Sequence, residues 1–517
     1  MKAPIIHPVP TGAGERFNPV QRSPSHSFGC LRIFRESIVM RLCVRSQAAF
    51  KPLSYLFISL AASSCIQAWA EPMTLADPST QAAPVRKGLA DNGQLMGSST
   101  KLFFEDAAEK GMYFRAGFNE EIAGNVTGGL RKGVTASEYA TVGMDLDLQK
   151  MLGWNQAALH WTVIALHSKG LNTEYIGGGV DSQENFAPFN LVRFLNLTLE
   201  QRFSLLHDND LNVIVGRMGA LPYFAQSELT CQFMSHAFCG VLYGFPQSTG
   251  TAVAPVSSWG GRVKFSPAPR TYVQAGAFVA DDTTFDDRTG LFDLGTQHIH
   301  GTNYLAETGY ETHFNDEVKP RYYRLGVSYL DARRNDVLLN TEGQERWRHG
   351  GSPKTQRGET AIYLTGGQVL LRPDASSRRN LAAFGSVYYN FDDSEAIQYT
   401  VKGGLVKTGT FEGRDEDTIG LAVSQIRFSG KEVDYLSGMR SVGGGHSNVS
   451  SHEEIVELNY GIHVSPGVVV LPNIQYTFNP DTRYTPTSPQ DIPNTLVLGL
   501  QLNISLDKFF GLPHMMY

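Results

Sequence analysis

Downstream of residue 70, this sequence of 517 residues has no stretch of about 20 consecutive apolar residues, the length that a helix needs to cross a membrane. It also lacks long segments with the 3.6-residue period of an amphipathic helix, and only residues 101–110 have the pattern of a short one. These absences argue against a helical protein. The abundance of Gly, Tyr and Phe, with 52, 21 and 29 residues, favours β-structure instead.

Motifs of the common enzyme classes are also missing. The sequence contains no G-x-S-x-G nucleophile elbow, no Walker loop and no H-E-x-x-H. His452-Glu453-Glu454 has no second histidine four residues later, and the other histidines are scattered. We therefore predict that the protein is not an enzyme and needs no cofactor.

The N-terminus carries the pattern of an export signal. Residues 1–39 have no apolar period and are predicted to be disordered or to precede the true start at Met40. A basic region and an apolar region then lead to Ala68-Trp69-Ala70, an A-x-A cleavage pattern. Cys65 offers a lipoprotein alternative, which Ala62 disfavours because a larger aliphatic residue is usual at that position. The predicted organisation is a signal peptide at 40–70, a short periplasmic segment at 71–107 and one β-domain at 108–517.

Removal of residues 1–70 takes away 8 basic and 2 acidic residues from totals of 44 and 50, which leaves 36 against 48. Such an acidic, exported chain does not fit a nucleic-acid-binding protein, which would need a basic patch. Only Cys231 and Cys239 of the five cysteines remain. In an oxidising compartment a disulfide between them is the simplest pairing. A metal site that includes His236 is a weaker alternative, because structural zinc usually has four ligands.

Period-2 alternation predicts about sixteen strands. They lie near 112–124, 137–149, 156–167, 192–203, 211–219, 256–266, 271–280, 303–314, 321–331, 361–371, 381–390, 396–407, 417–428, 453–464, 467–478 and 494–506. Short turns mostly follow the even-numbered strands, whereas long segments such as 168–191, 220–255, 332–360 and 429–452 mostly follow the odd-numbered ones. This asymmetry is typical of an outer-membrane β-barrel with short periplasmic turns and long extracellular loops. A secreted carbohydrate-binding sandwich is the soluble alternative.

Strand parity assigns side chains to the two faces of the wall. The clearest row is an unbroken series of aliphatic residues near the C-terminus: Leu496, Leu498, Leu500, Leu502, Ile504 and Leu506. In a barrel this row faces lipid, and its strand closes the wall against 112–124. The same reasoning turns Leu148, Leu195 and Ile474 toward lipid.

Charged residues on the opposite parity are the candidate lumen residues. Arg115, Glu200, Arg202, Arg262 and Lys264 all belong to the polar faces of their strands. Charges of both signs in a lumen can hydrogen-bond hydroxylated solutes. Trp259 and Phe233 are candidate apolar platforms for sugar rings, although simple wall filling is the alternative for each residue. No metal-binding residues are predicted among them.

Several segments resemble the carbohydrate-selective porin (OprB) family. They are Cys231-Gln232-Phe233 through Ala237-Phe238-Cys239-Gly240, Ser258-Trp259-Gly260-Gly261-Arg262-Val263, Gly124 to Gly129, Asp145 to Trp154, and Asn494 to Leu506. The resemblance extends over residues 105–506. It implies a sixteen-stranded outer-membrane barrel, passive sugar uptake and inward-folded loops, with 220–255 as a constriction loop. The extension Asp507 to Tyr517 departs from it, because barrel proteins usually end on an aromatic residue at the strand end.

The resulting prediction is a passive porin of the Gram-negative outer membrane for small carbohydrates. A general diffusion pore is the nearest alternative, and an outer-membrane lipase or protease is less favoured. The expected partners are small carbohydrates and the surrounding lipid and lipopolysaccharide. A homo-oligomer is possible, and the loop sequence Arg346-Trp347-Arg348 is either a lipopolysaccharide contact or an exposed tip.

Overall fold

The architecture is a closed barrel of sixteen antiparallel strands, in which each strand pairs with its neighbours in the chain and the last strand pairs with the first. The computed structural model describes residues 97–515 except 186–189, 206–209, 240–241, 247–254, 282–290, 292–293 and 295–298. Residues 1–39, the signal segment at 40–70 and its cleavage site lie outside the described residues. The predicted fold class is confirmed.

The strands have the following bounds. They are β1 Met112–Thr127, β2 Gly133–Asp147, β3 Ala157–Ser168, β4 Asn190–Ser204, β5 Asp210–Met218, β6 Ser258–Ala268, β7 Thr271–Asp281, β8 Ile299–Glu311, β9 Arg321–Asn340, β10 Pro353–Leu371, β11 Asn380–Asn390, β12 Ile397–Thr408, β13 Thr418–Phe428, β14 His452–Ser465, β15 Val468–Phe478 and β16 Thr495–Ser505. Each one overlaps a strand that the alternation predicts.

Five α-helices lie outside the wall strands in the described part of the chain. They are α1 Ser98–Glu109, α2 Leu148–Leu152, α3 Arg346–His349, α4 Gly430–Val442 and α5 Leu506–Phe510. The first of them matches the short helix expected at 101–110. None of these helices has the length and apolarity required to cross a membrane.

The aliphatic row near the C-terminus lies on the outer surface of β16. Leu498 and Leu500 are 50% and 43% exposed in the isolated chain, whereas Val497 and Gln501 on either side of them are buried. β16 pairs with β1 in an antiparallel register that sets Leu500 opposite Ile122. The predicted closure of the barrel is therefore confirmed. The row ends at Ile504, because Leu506 already starts α5.

Two leucines that parity assigned to the lipid side are buried, so those assignments are wrong. Leu148 is the first residue of α2 and is buried, since the strand ends at Asp147 and the alternation stops there. Leu195 lies at a shift in register where Thr162 pairs with Asn196 but Val163 pairs with Phe194. This extra residue in β4 reverses the alternation, because a one-residue insertion moves every following side chain to the other face. Ile474 faces outward as expected.

The segment 332–360 is mostly strand and not a long loop. β9 continues to Asn340 and β10 begins at Pro353, and the two remain paired across two irregularities. The inward side chains of Ala332, Asp336 and Leu338 are buried, so the inner face of the hairpin continues beyond the expected strand end. The long connections predicted at 168–191, 220–255 and 429–452 correspond to residues 169–189, 219–257 and 429–451 between the strands.

Candidate functional site: a constricted lumen

The described residues of the connection between β5 and β6 fold into the barrel; we call this connection, residues 219–257, the constriction loop. Its aromatic residues Phe224, Phe233, Phe238 and Phe245 are fully buried. They form one hydrophobic cluster with inward side chains of the wall, including Tyr363, Phe384 and Tyr388. The Phe233 ring lies 5.4 Å from that of Phe238 and 5.7 Å from that of Phe384. Aromatic packing thus holds the loop against β10 to β12.

Polar side chains of the wall satisfy the backbone of the loop. Glu457 on β14 accepts hydrogen bonds from the backbone amides of Met234 and Ser235, both at 2.9 Å. The Lys402 ammonium donates to the carbonyl oxygen of Phe238 at 2.6 Å, and Asn459 donates to that of Gln232 at 2.6 Å. Buried backbone groups need such partners, because an unsatisfied one is costly. The wall therefore specifies where the loop lies.

The disulfide between Cys231 and Cys239 is present, with a Cα–Cα distance of 4.2 Å. The Glu184 carboxylate lies within 4.8 Å of both sulfurs, but these are bonded to each other and are not free thiolate ligands. Burial raises the pKa of Glu184 to about 7, and the nearby Lys402 ammonium opposes that rise. Burial and the same ammonium lower the pKa of His236, between the cysteines, to about 4. His236 is therefore neutral at pH 7.

Reduction of this bridge, or Cys231→Ser, should loosen the constriction loop and raise the single-channel conductance. A bridge that closes a loop of this size contributes about 2–3 kcal/mol by limiting open conformations. Because wall contacts to Gln232, Met234 and Phe238 persist in the reduced protein, the increase should be modest. Conductance in planar bilayers before and after a membrane-impermeant reductant tests this. An identical current in both states would contradict it.

The described residues of the connection between β3 and β4, which we call the second loop, also enter the lumen, a position that the sequence analysis did not predict. Gln183 donates to the backbone carbonyl of Glu121 on β1 at 2.8 Å, and Gln475 on β15 donates to that of Ser182 at 2.9 Å. This loop reaches the constriction loop, since the His236 amide donates to the carbonyl oxygen of Asp181 at 3.2 Å. The two loops therefore meet inside the barrel and together narrow the lumen.

The connection between β15 and β16 braces the junction of these two loops. Asp481 accepts from the amide of Gly179 at 2.8 Å, and Arg483 donates to the Tyr243 hydroxyl at 2.5 Å. The Tyr243 hydroxyl in turn donates to the carbonyl oxygen of Gly179 at 2.7 Å. Burial, together with the charge of Asp481, raises the pKa of Asp181 well above its usual range. Three extracellular connections therefore form one hydrogen-bonded unit inside the barrel.

Inward polar side chains of β1 to β4 form the first part of a continuous chain that we call the polar belt. Arg115 and Asp145 form an ion pair at 2.7 Å. His160 lies between two carboxylates, 2.6 Å from Asp145 and 3.2 Å from Glu200. Arg202 closes this part with a bond of 2.8 Å to Glu200. Three of the predicted lumen residues are thus brought together through Asp145 and His160.

The polar belt continues across β5 to β8. Asn212 donates to Glu200 at 2.6 Å and accepts a hydrogen bond from Arg262. The guanidinium of Arg262 also donates to Gln274 at 3.2 Å, and Gln274 donates to Glu307 at 2.7 Å. Glu307 is a hub, because the hydroxyls of Tyr272 and Tyr363 donate to it as well, both at 2.7 Å.

The belt then passes from the wall to the constriction loop. The guanidinium of Arg262 lies 5.0 Å from the ring centre of Tyr223, and Glu307 accepts from the amide of Ala225 at 2.9 Å. On β9, Arg324 donates to the carbonyl oxygen of Gln226 at 2.9 Å and pairs with Glu228 at 2.5 Å. Lys264, also a predicted lumen residue, pairs with Glu311 at 3.2 Å.

Neither Trp259 nor Phe233 has a ring open to the lumen in this structure, and their role as sugar platforms stays a prediction. Trp259 alternates with the inward residues Ser258 and Arg262, which places it on the outer face of β6. Its indole N–H donates to the carbonyl oxygen of Leu294 at 2.8 Å. Phe233 lies inside the barrel, on the constriction loop, but it has no exposed surface because it packs within the hydrophobic cluster of that loop.

Some residues of the belt were accessible to sequence reasoning and others were not. Asp145 has the inward parity of β2, and the same counting along β3, β5 and β8 finds His160, Asn212 and Glu307. The partners that come from loops, such as Tyr223 and Glu228, have no periodic signal. Their positions follow only from the folded constriction loop.

This combination of a closed sixteen-stranded wall, inward-folded loops and a charged lumen defines a porin. The chain matches the family model "Carbohydrate-selective porin, OprB family" over residues 131–506. It therefore belongs to the carbohydrate-selective porin (OprB) family, and its place is the Gram-negative outer membrane.

Curated relatives and a solved structure agree with this assignment. Porin B of Pseudomonas aeruginosa is 27% identical over 408 residues, which cover 76% of this chain and 87% of that protein. The putative porin QuiX of Acinetobacter baylyi is 23% identical over 418 residues, 77% of this chain and 90% of that protein. The high-pH structure of Pseudomonas putida OprB superposes with a TM-score of 0.69 at 25% identity and covers 78% of this chain and 96% of that one.

Proposed function

We propose that small uncharged carbohydrates, monosaccharides and short oligosaccharides, diffuse passively through this lumen and exchange hydrogen bonds with the polar belt. The polar belt carries the proposal, because it lines the inner wall from β1 to β9 beside the constriction loop. Arginine and lysine side chains supply donors, and the carboxylates supply acceptors, for the hydroxyl groups of a sugar. A passive channel needs no reaction, since selectivity comes from width and from the lining groups.

The balance of charge in the belt supports uncharged solutes over ions. Five cationic side chains face five carboxylates. The cations are Arg115, Arg202, Arg262, Lys264 and Arg324, and the anions are Asp145, Glu200, Glu228, Glu307 and Glu311. A lining with one excess sign would concentrate the opposite ion, as rings of like charge do in ion-selective pores. A balanced lining offers donors and acceptors without that preference.

Arg202 should contribute most directly to sugar passage. Its side chain is 41% exposed, more than twice the exposed fraction of Arg115, so it is the more accessible of the two to a passing solute. A hydrogen bond from a charged donor contributes about 1.5–3 kcal/mol, so Arg202→Gln should weaken sugar-dependent block of the ion current about tenfold or more. Planar-bilayer recordings with increasing glucose concentrations measure this block.

A suitable control is Arg131→Gln. The Arg131 side chain is 63% exposed in the connection between β1 and β2, outside the belt. This variant should keep the block of the unchanged protein. If no sugar blocks the current of the unchanged protein at high concentration, the lumen is a general diffusion pore, and the proposal of sugar recognition is wrong.

Export and surroundings are parts of the same proposal. The signal pattern at 40–70 supports cleavage after Ala70, and sequencing of the N-terminus of the purified outer-membrane protein tests it. Arg348 at the tip of the β9–β10 hairpin is exposed, whereas Trp347 packs against α4 at Gly438. Of the three residues Arg346 to Arg348, Arg348 is thus the best placed to meet lipopolysaccharide phosphates. Chemical cross-linking in outer-membrane vesicles tests for a homo-oligomer.

A further inference from the structure

The short helix α1 packs against the barrel immediately before the first strand. Only Lys110 and Gly111 separate it from β1. Two of its aromatic rings contact Phe114, with ring centres 6.1 Å away for Phe103 and 5.3 Å away for Phe104. The helix is therefore held by aromatic contacts at the end of β1 where the chain enters the wall.

Phe114 shows on which side of the wall this helix lies. In β1 it alternates with Tyr113 and Arg115, and Arg115 belongs to the polar belt inside the lumen. Phe114 pairs with Met144 on β2, which pairs with Trp161 on β3, so these three side chains share the outer face. Because the rings of α1 rest on Phe114, the helix lies against the lipid-facing side of the barrel, at its periplasmic rim.

Apolar side chains at this rim are uncovered. Phe103 is 57% exposed although its ring touches Phe114. Leu152, the last residue of the neighbouring helix α2, and Trp154, two residues later, are 73% and 47% exposed. The two helices are adjacent, since the Lys150 ammonium in α2 donates to the carbonyl oxygen of Ala108 in α1 at 3.1 Å. An apolar patch on two adjacent segments marks a contact surface, whereas single exposed apolar residues are ordinary.

We propose that α1 is an interfacial helix that inserts Phe103 into the periplasmic leaflet of the outer membrane and anchors the N-terminal segment there. The occupant is lipid, because the patch continues the lipid-facing surface of β1 to β3. Aromatic rings favour the boundary between headgroups and acyl chains, where short amphipathic helices lie in the membrane plane.

The charged residues of α1 are compatible with this orientation. Successive residues of a helix are about 100° apart, so Glu105 points about 200° away from Phe103. Glu105 therefore faces away from the bilayer when Phe103 enters it. Lys110 pairs with Asp106 at 2.6 Å, which limits the uncompensated charge near the headgroups.

Spin labels at two positions of α1 test the proposal. The exported protein, with Cys231 and Cys239 joined in their disulfide, receives a single nitroxide through Phe103→Cys or, as the matched control, Glu105→Cys. Both are reconstituted in vesicles of phosphatidylethanolamine and phosphatidylglycerol, and collisions with oxygen and with a water-soluble nickel chelate are measured. Heat-modifiable mobility on gels verifies that both variants form the barrel.

The proposal expects oxygen to dominate at position 103 and the nickel chelate at position 105. The ratio of oxygen to nickel collisions should be at least fivefold higher at 103 than at 105. Dominant nickel collisions at position 103 would place the helix in water and overturn the proposal. Low collision rates with both reagents at position 103 would overturn it as well, since a second copy or another protein would then cover the patch.

Discussion

The variant Glu457→Gln is expected to release the constriction loop and to increase the conductance more than any other single substitution considered. Glu457 accepts hydrogen bonds from two buried loop amides, those of Met234 and Ser235, both at 2.9 Å. A glutamine of the same size offers one acceptor oxygen and turns an NH2 group toward the second donor. A buried donor left without a partner costs roughly 1–3 kcal/mol, a factor of roughly 5 to 150 in the equilibrium between seated and released loop.

Single-channel recording and liposome swelling measure the consequence. Conductance should rise, and the uptake of disaccharides should approach that of monosaccharides, because the loop no longer narrows the lumen. Glu454→Gln is the matched control, since Glu454 lies on the same strand but faces outward, where it accepts from Gln425 at 3.2 Å. An unchanged conductance in Glu457→Gln, with the barrel intact, would show that other contacts suffice to seat the loop.

The second large effect is expected at the outer surface, where Leu500→Arg should destabilise the barrel by about 2–4 kcal/mol. Leu500 lies at the middle of β16 and is flanked by Ile122 on β1 and Pro472 on β15. A charged side chain at this depth must be placed in hydrocarbon or reach around its neighbours to the interface. The free energy of unfolding in phospholipid vesicles, obtained from urea titration followed by tryptophan fluorescence, measures the loss.

Leu500→Met is the control, because it changes the shape of the side chain without adding a charge. It should lower the free energy of unfolding by less than about 1.5 kcal/mol. A Leu500→Arg protein as stable as the methionine variant would contradict the lipid-facing assignment of the row Leu496 to Ile504. The row would then face another protein surface or water.

Strand alternation explains why the wall was predictable in detail. Successive side chains of a strand point to opposite faces, so each strand can be recognised from its own residues. The positions of all sixteen strands and the inward direction of Arg115, Glu200 and Arg262 could be deduced in this way. The same alternation assigns Trp259 and Arg262 to different faces of β6, which does not agree with a sugar-binding role for both residues inside the lumen. Leu195 could not be assigned correctly, because an extra residue in β4 has no signature in the alternation of that strand alone.

The positions of the loops inside the barrel could not be predicted, because they depend on contacts between residues far apart in the sequence. The Met234 amide and the Glu457 carboxylate are 223 residues apart, and Gly179 and Asp481 are 302 residues apart. Such pairs depend on which strands face each other after closure and on how deeply a loop descends. Phe233 illustrates the consequence, since its aromatic character suggested sugar stacking while its burial makes it an anchor of the loop.

The sequence by itself thus determined the export pattern, the alternating wall, the closing leucine row and the family of this porin, because each is written in local or periodic patterns. The tertiary structure alone decided that two loops meet inside the barrel, that Glu457 and Lys402 hold one of them, and that α1 lies on the outer rim. Packing and hydrogen bonding of buried polar groups select these arrangements, and they act between residues that only closure of the barrel brings together.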